Sequence, residues 1–197
     1  MRIGWLLKES TDKTNIQKNL SVFAAIVEQN LEYTLNLIST LEDPAVRYKN
    51  EDRADRLAKL KSNIKTELAD YPPDEIIKII TFMSAIESVY SSTNEIKDYV
   101  KEIVKYPPVG FDFSEIAIKI SDIAKQAIDG FFSEDVATEL EAEIAETEMT
   151  LNAALRWLNE LNGREKRERG RILYYAGIVA LLREIKEKIR LAQLTKF

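Results

Sequence analysis

Residues 71–105 read YPPDEIIKIITFMSAIESVYSSTNEIKDYVKEIVK, and how this stretch folds decides how the rest of the chain is read. Pro73 suits a first helical position, and Asp74 and Glu75 sit where the positive end of a helix dipole favours carboxylates. From there Ile76, Ile79, Met83, Ile86, Tyr90, Thr93, Ile96, Val100 and Ile103 recur at the three-and-four spacing of one buried helical stripe. The pattern predicts one helix from the Tyr-Pro-Pro break to about Lys105. At more than about 30 residues it far exceeds the average globular helix and should run the length of a bundle. Its middle is odd, because Ser91, Ser92, Thr93 and Asn94 are mediocre helix formers set into an apolar seam.

Outward from this helix the same periodicity repeats. Towards the N-terminus, Ile16, Leu20, Phe23, Val27, Leu31, Leu35, Ile38 and Leu41 predict a helix over about 15–41, ended by Pro44. Trp5 falls in an arm before it, able to dock on the bundle or on a partner. Ala54, Leu57, Leu60, Ile64 and Leu68 predict a second helix over about 45–69. Beyond the long helix a second Tyr-Pro-Pro, residues 106–108, breaks the chain, and Asp112 with Glu115 forms a capping-box-like start. Ile116, Ile120, Ile123, Ala127 and Phe131 then mark a fourth helix. Ser133 is placed to cap a fifth, seamed by Val136, Leu140, Ile144, Thr147, Leu151, Leu155 and Leu158 and stopped near Gly163. The sixth begins in REKRERGR and runs through Ile172, Tyr175, Val179, Leu182, Ile185 and Ile189. Trp157 is expected in the core. Two runs of medium, medium and long helices predict an all-α, six-helix bundle over residues 1–197, a single domain made of two repeated three-helix units, about 15–105 and 112–194.

Composition narrows the chemistry. The 197 residues include 6 glycines and 5 prolines, as a helical protein should. The absence of cysteine removes thiol nucleophiles, disulfides and iron–sulfur ligation, and the absence of histidine removes imidazole catalysis and His-metal sites. A ferritin-like di-iron centre fails on the same ground, since it needs histidine. Any metal must therefore be held by oxygen. The net charge of −5 argues against a nucleic-acid partner. No window reaches the ~18 apolar residues of a membrane span, so membrane insertion is not expected. The apolar run in MRIGWLL is too short for a signal peptide, which leads us to expect a cytoplasmic protein.

Two acidic strips remain. Glu51 and Asp55 lie four apart in EDRADRL, on one face of the second helix, and Glu87, Ser91, Glu95 and Asp98 follow the same step beside the seam of the third. Such strips on adjacent helices could gather oxygen ligands around a cation. They could equally be solvated faces, with Arg53, Arg56 and Lys97 as partners. REKRERGR reads either as a patch for an acidic or phosphate-rich partner or as a solvated helix turn laced by Glu165 and Glu168.

These residues carry a resemblance. The chain resembles the PhoU-like proteins, phosphate-transport regulators built from two three-helix units. Their second helix in each unit carries Glu-x-x-x-Asp before an apolar residue, and their third a Glu-Arg-Ile-Gly-Asp-like run. EDRADRL puts Glu51 and Asp55 on the first pattern. ESVYSSTNEI puts Glu87 and Val89 on the second, with Ser91 where an Asp would stand and Glu95 nearby. The second unit departs further: EMTLNAAL offers Glu148 and Asn152, and ALLREIKEKI offers Ala180 and Glu184, close to Lys186 and Lys188. The resemblance thus implies a metal site on Glu51, Asp55, Glu87 and Glu95, and a second, weaker one on Glu148, Asn152 and Glu184, for a divalent or iron-type metal. It also implies a non-enzymatic regulator of phosphate transport that acts through protein contacts, its partner a phosphate permease or the cytoplasmic face of another transporter, with homo-oligomers in view. The alternatives are a helical scaffold or adaptor unrelated to phosphate and, less favoured, a carboxylate-metal hydrolase.

Overall fold

A computed structural model describes residues 3–40, 51–105, 113–132, 139–164 and 169–194, and every structural statement below concerns these residues. They form six α-helices: α1 (Ile3–Thr40), α2 (Glu51–Glu67), α3 (Pro73–Ile103), α4 (Ser114–Phe132), α5 (Glu139–Arg164) and α6 (Arg169–Leu194), with a turn of 3-10 helix, Leu68–Asp70, after α2.

α3 starts where its sequence dictates. Pro73 occupies the first turn, where a missing N–H costs nothing, and the Ile76 N–H donates to the Pro72 carbonyl at 3.0 Å. α1 is longer than its periodicity indicates. It begins at Ile3, so that Trp5 lies within the helix rather than in a preceding arm. No proline falls between Ile3 and Thr40 to interrupt helical hydrogen bonding. The expected features at Leu41, Pro44, Asp112, Ser133, Val136, Glu165 and Glu168 lie outside the described residues.

Consecutive helices run antiparallel, as short connections favour. Asn19 of α1 meets Glu67 at the end of α2, Lys119 of α4 meets Glu146 of α5, and Arg190 of α6 meets Glu141 near the start of α5. α1, α3, α4 and α6 make the centre. α3 and α6 share the most extensive interface, α1 packs on both α3 and α4, and α4 also packs on α6. Tyr99, near the end of α3, lies against Tyr174 near the start of α6, with ring centroids 5.9 Å apart, so these two helices are antiparallel as well. A Cβ at Gly177 would fall 2.6 Å from Cε2 of Tyr99, so glycine here lets the α3 ring lie close against the α6 backbone.

The seams are buried as their spacing requires. Ile172, Tyr175, Val179, Leu182, Ile185 and Ile189 on α6 are all buried, as are Ile16, Leu20, Phe23, Val27, Leu31, Leu35 and Ile38 on α1. Each such aliphatic side chain contributes about 1.5–3 kcal/mol on leaving water. Phe113 stacks on Tyr175 at 5.4 Å between centroids, closing the core where α4 begins. Trp157 is half-buried and packs against the core. α2 buries little beyond Leu57 and Ile64, joined by Leu68 of the 3-10 turn, and its main partner is α1.

Candidate functional site

The polar run of α3 turns inward. Ser92 and Thr93 are buried, at 4% and 0% exposure, and so is Lys97 at 2%, while Ser91 is exposed. Facing them on α1 is Asn30, also fully buried. Its Nδ2 donates to Thr93 Oγ1 at 2.6 Å and to Asn94 Oδ1 at 3.4 Å, and its Oδ1 accepts from Lys97 Nζ. Lys97 Nζ also donates to Asn94 Oδ1 at 3.2 Å and lies 5.4 Å from the centroid of the Tyr33 ring. Thr93 Oγ1 in turn donates to the Tyr90 carbonyl, and Thr34 Oγ1 to the Asn30 carbonyl, both at 2.7 Å. Two of the mediocre helix formers, Thr93 and Asn94, are therefore one half of a hydrogen-bonded layer between α1 and α3. Their local cost is offset by bonds that a buried polar group must make somewhere. Burial, the nearby Arg53 and Lys101 push the Lys97 ammonium down to about 8, against the opposing pull of Asp98.

The residues expected to hold metal are distributed differently. Glu51 opens α2, but its side chain lies outside the described residues. Asp55 and Glu95 are exposed, and Glu95 accepts from the Tyr99 hydroxyl at 3.3 Å. Glu87 is half-exposed and is paired across to α2 by Lys61, whose Nζ donates to Glu87 Oε1 at 2.7 Å and also to Oε2.

Glu148 and Asn152 do come together, one turn apart on α5, with Asn152 Nδ2 donating to Glu148 Oε1 at 3.2 Å. What faces them from α6 is cationic. Arg183 reaches Glu148 Oε1 at 3.0 Å and Asn152 Oδ1 at 2.7 Å, and the buried Lys186 pairs with Glu148 Oε2. Burial pushes the Glu148 carboxyl up, but Lys186 and Arg183 outweigh it and hold the group below its ordinary value. Glu184 is exposed. Among the described residues no three carboxylates gather as a metal site would need. At Glu87 and Glu148 the place a cation would take is taken by ammonium and guanidinium groups, so these two carboxylates as they stand do not fit a metal.

A third feature escaped the motif reading. α4 and α5 border an open groove of about 350 Å³ lined by Glu115, Ile118, Lys119, Asp122, Glu143 and Glu146. Lys119 donates to Glu146 at 2.5 Å, and Gln126 to Glu143 at 2.7 Å. Ile118 is 61% exposed on the same wall, so the groove is acidic around an apolar patch. The signal was available in the sequence, since Glu115, Lys119 and Asp122 share a helical face with Ile118 beside them.

No family model matches the chain, and no curated protein matches it. A solved structure does: that of PhoU from Pseudomonas aeruginosa superposes with a TM-score of 0.79, over 94% of this chain and 96% of that one, at 17% sequence identity. The chain has the all-helical PhoU-like fold. At that identity the likeness is one of fold.

Proposed function

We propose that this protein is a PhoU-like regulatory or accessory protein of phosphate transport, not an enzyme, and that it works by binding other proteins at the cytoplasmic face of a transporter. The observation that carries this reading is the likeness of fold to a PhoU structure along nearly the whole chain. The charge of the surface supports it. No described helix is long and apolar enough to cross a membrane. Cytoplasmic loops of membrane proteins are enriched in Lys and Arg, and the α4–α5 groove offers Glu115, Asp122, Glu143 and Glu146 around the exposed Ile118. A basic loop with an apolar residue would complement it. We also take the two three-helix units to be repeats of one another, a reading supported by the matching antiparallel order of helices within each.

The test is binding to the phosphate permease of the native host. With permease subunits purified in detergent, the reading expects a complex that survives size-exclusion chromatography near physiological salt and weakens as salt is raised. Failure to bind the permease, with binding instead to a partner unrelated to phosphate, would favour the scaffold reading.

A further inference from the structure

We infer that the seam between α5 and α6 carries its own cation, the Lys186 ammonium, and that this seam therefore holds no metal ion. The inference stands apart from the regulatory reading and rests on packing and charge. Lys186 is only 3% exposed, so its charge has left water and requires anionic partners at hand. It has them on both sides: Oε2 of Glu148 across the seam, and Oε1 of Glu187 at 3.0 Å on its own helix. Arg183 takes the other oxygen of Glu148 at 3.0 Å and the side-chain Oδ1 of Asn152 at 2.7 Å. Every oxygen that α5 presents here is thereby engaged by a cation of α6. A metal ion arriving at Glu148 would have to displace a buried ammonium and leave it stranded, a costly exchange.

The same arrangement recurs more openly between α2 and α3. There Lys61 bridges both oxygens of Glu87. In both seams a lysine neutralises a carboxylate of the facing helix.

The experiment combines metal analysis with melting curves. The full chain, purified without chelator, should contain far less than one equivalent of any transition metal. Its melting temperature should not move on adding EDTA, Mg²⁺, Mn²⁺ or Fe³⁺. The double variant Lys186→Gln, Arg183→Gln uncovers Glu148 and Glu187 and should gain several degrees on adding millimolar Mn²⁺, by the linkage of binding to folding. Lys186→Arg, which keeps the charge, should stay indifferent to metal. Stoichiometric metal in the wild-type protein that Glu148→Gln removes, or a metal-dependent rise in melting temperature that Glu148→Gln abolishes, overturns the inference even if the double variant fails to fold. A folded double variant that still ignores Mn²⁺ also overturns it, because the ammonium would then not stand in a cation's place.

Discussion

Lys97 gives the most quantitative handle on the polar layer between α1 and α3. Its ammonium is lowered from 10.5 to about 8 in the folded protein, and the side chain is almost wholly removed from solvent. Below pH 8 the group is charged in both states, and folding bears the full cost of burying that charge. As pH rises through the folded value, the native state sheds its proton while the unfolded chain keeps it, so stability rises. Above the unfolded value both states are neutral and the gain is complete. The separation is worth roughly 3 kcal/mol in total, of which about 2 kcal/mol should be realised by about pH 9.5. Lys97→Met keeps the length of the side chain and removes the titration. Its loss of hydrogen bonds to Asn30 and Asn94 does not depend on that titration, so it drops out when the two proteins are compared across pH. Urea denaturation of both proteins near pH 7 and about pH 9.5 should show the wild type gaining about 2 kcal/mol relative to the variant. Parallel pH profiles would refute the reasoning, since Lys97 would then titrate alike in the folded and unfolded chains.

Two further substitutions probe the α3–α6 contact and the acidic groove. Gly177→Ala places a methyl group 2.6 Å from the Tyr99 ring, and after the ~1 kcal/mol by which alanine favours a helix interior it should destabilise the protein by at most about 2 kcal/mol in urea melts. Combined with Tyr99→Ala, the same change should cost clearly less, and strict additivity would place the strain elsewhere. Reversing charge with Glu115→Lys and Asp122→Lys, both on the groove wall, should cost no more than roughly 1–2 kcal/mol of stability, chiefly because Glu115 lies in the first turn of α4. The pair should weaken permease binding several-fold and flatten its salt dependence; unchanged binding would move the interface off this face.

Much of the fold was legible because helix seams repeat at fixed spacing. Pro73 marked the start of α3 within the first turn, and every seam residue named for α6 is buried. The N-terminal extent of α1 was not legible, since residues before Ile16 lack the stripe that betrays a buried face. The site was harder. On spacing alone Glu87, Ser91 and Glu95 share one edge of α3, which fits a ligand strip or a solvated face equally. The layer that forms uses Thr93 and Lys97 instead, with Asn30 opposite. The clue was register: Asn30 follows Val27 by three, and Lys97 follows Thr93 by four, so both sit inside apolar seams. Lys186 likewise stands four after Leu182 and three before Ile189, which places its ammonium inward. What no linear pattern supplies is the offset of α5 against α6 that sets Lys186 on Glu148.

The central proposal, that this chain of PhoU-like fold regulates phosphate transport, is tested most directly by measuring phosphate uptake in the native host with the chain deleted. The rate in phosphate-starved cells relative to phosphate-replete cells should collapse towards unity. It should recover with the wild-type chain and recover poorly with the Glu115→Lys, Asp122→Lys variant. A ratio unchanged by deletion would contradict the account and leave a PhoU-like bundle serving another partner.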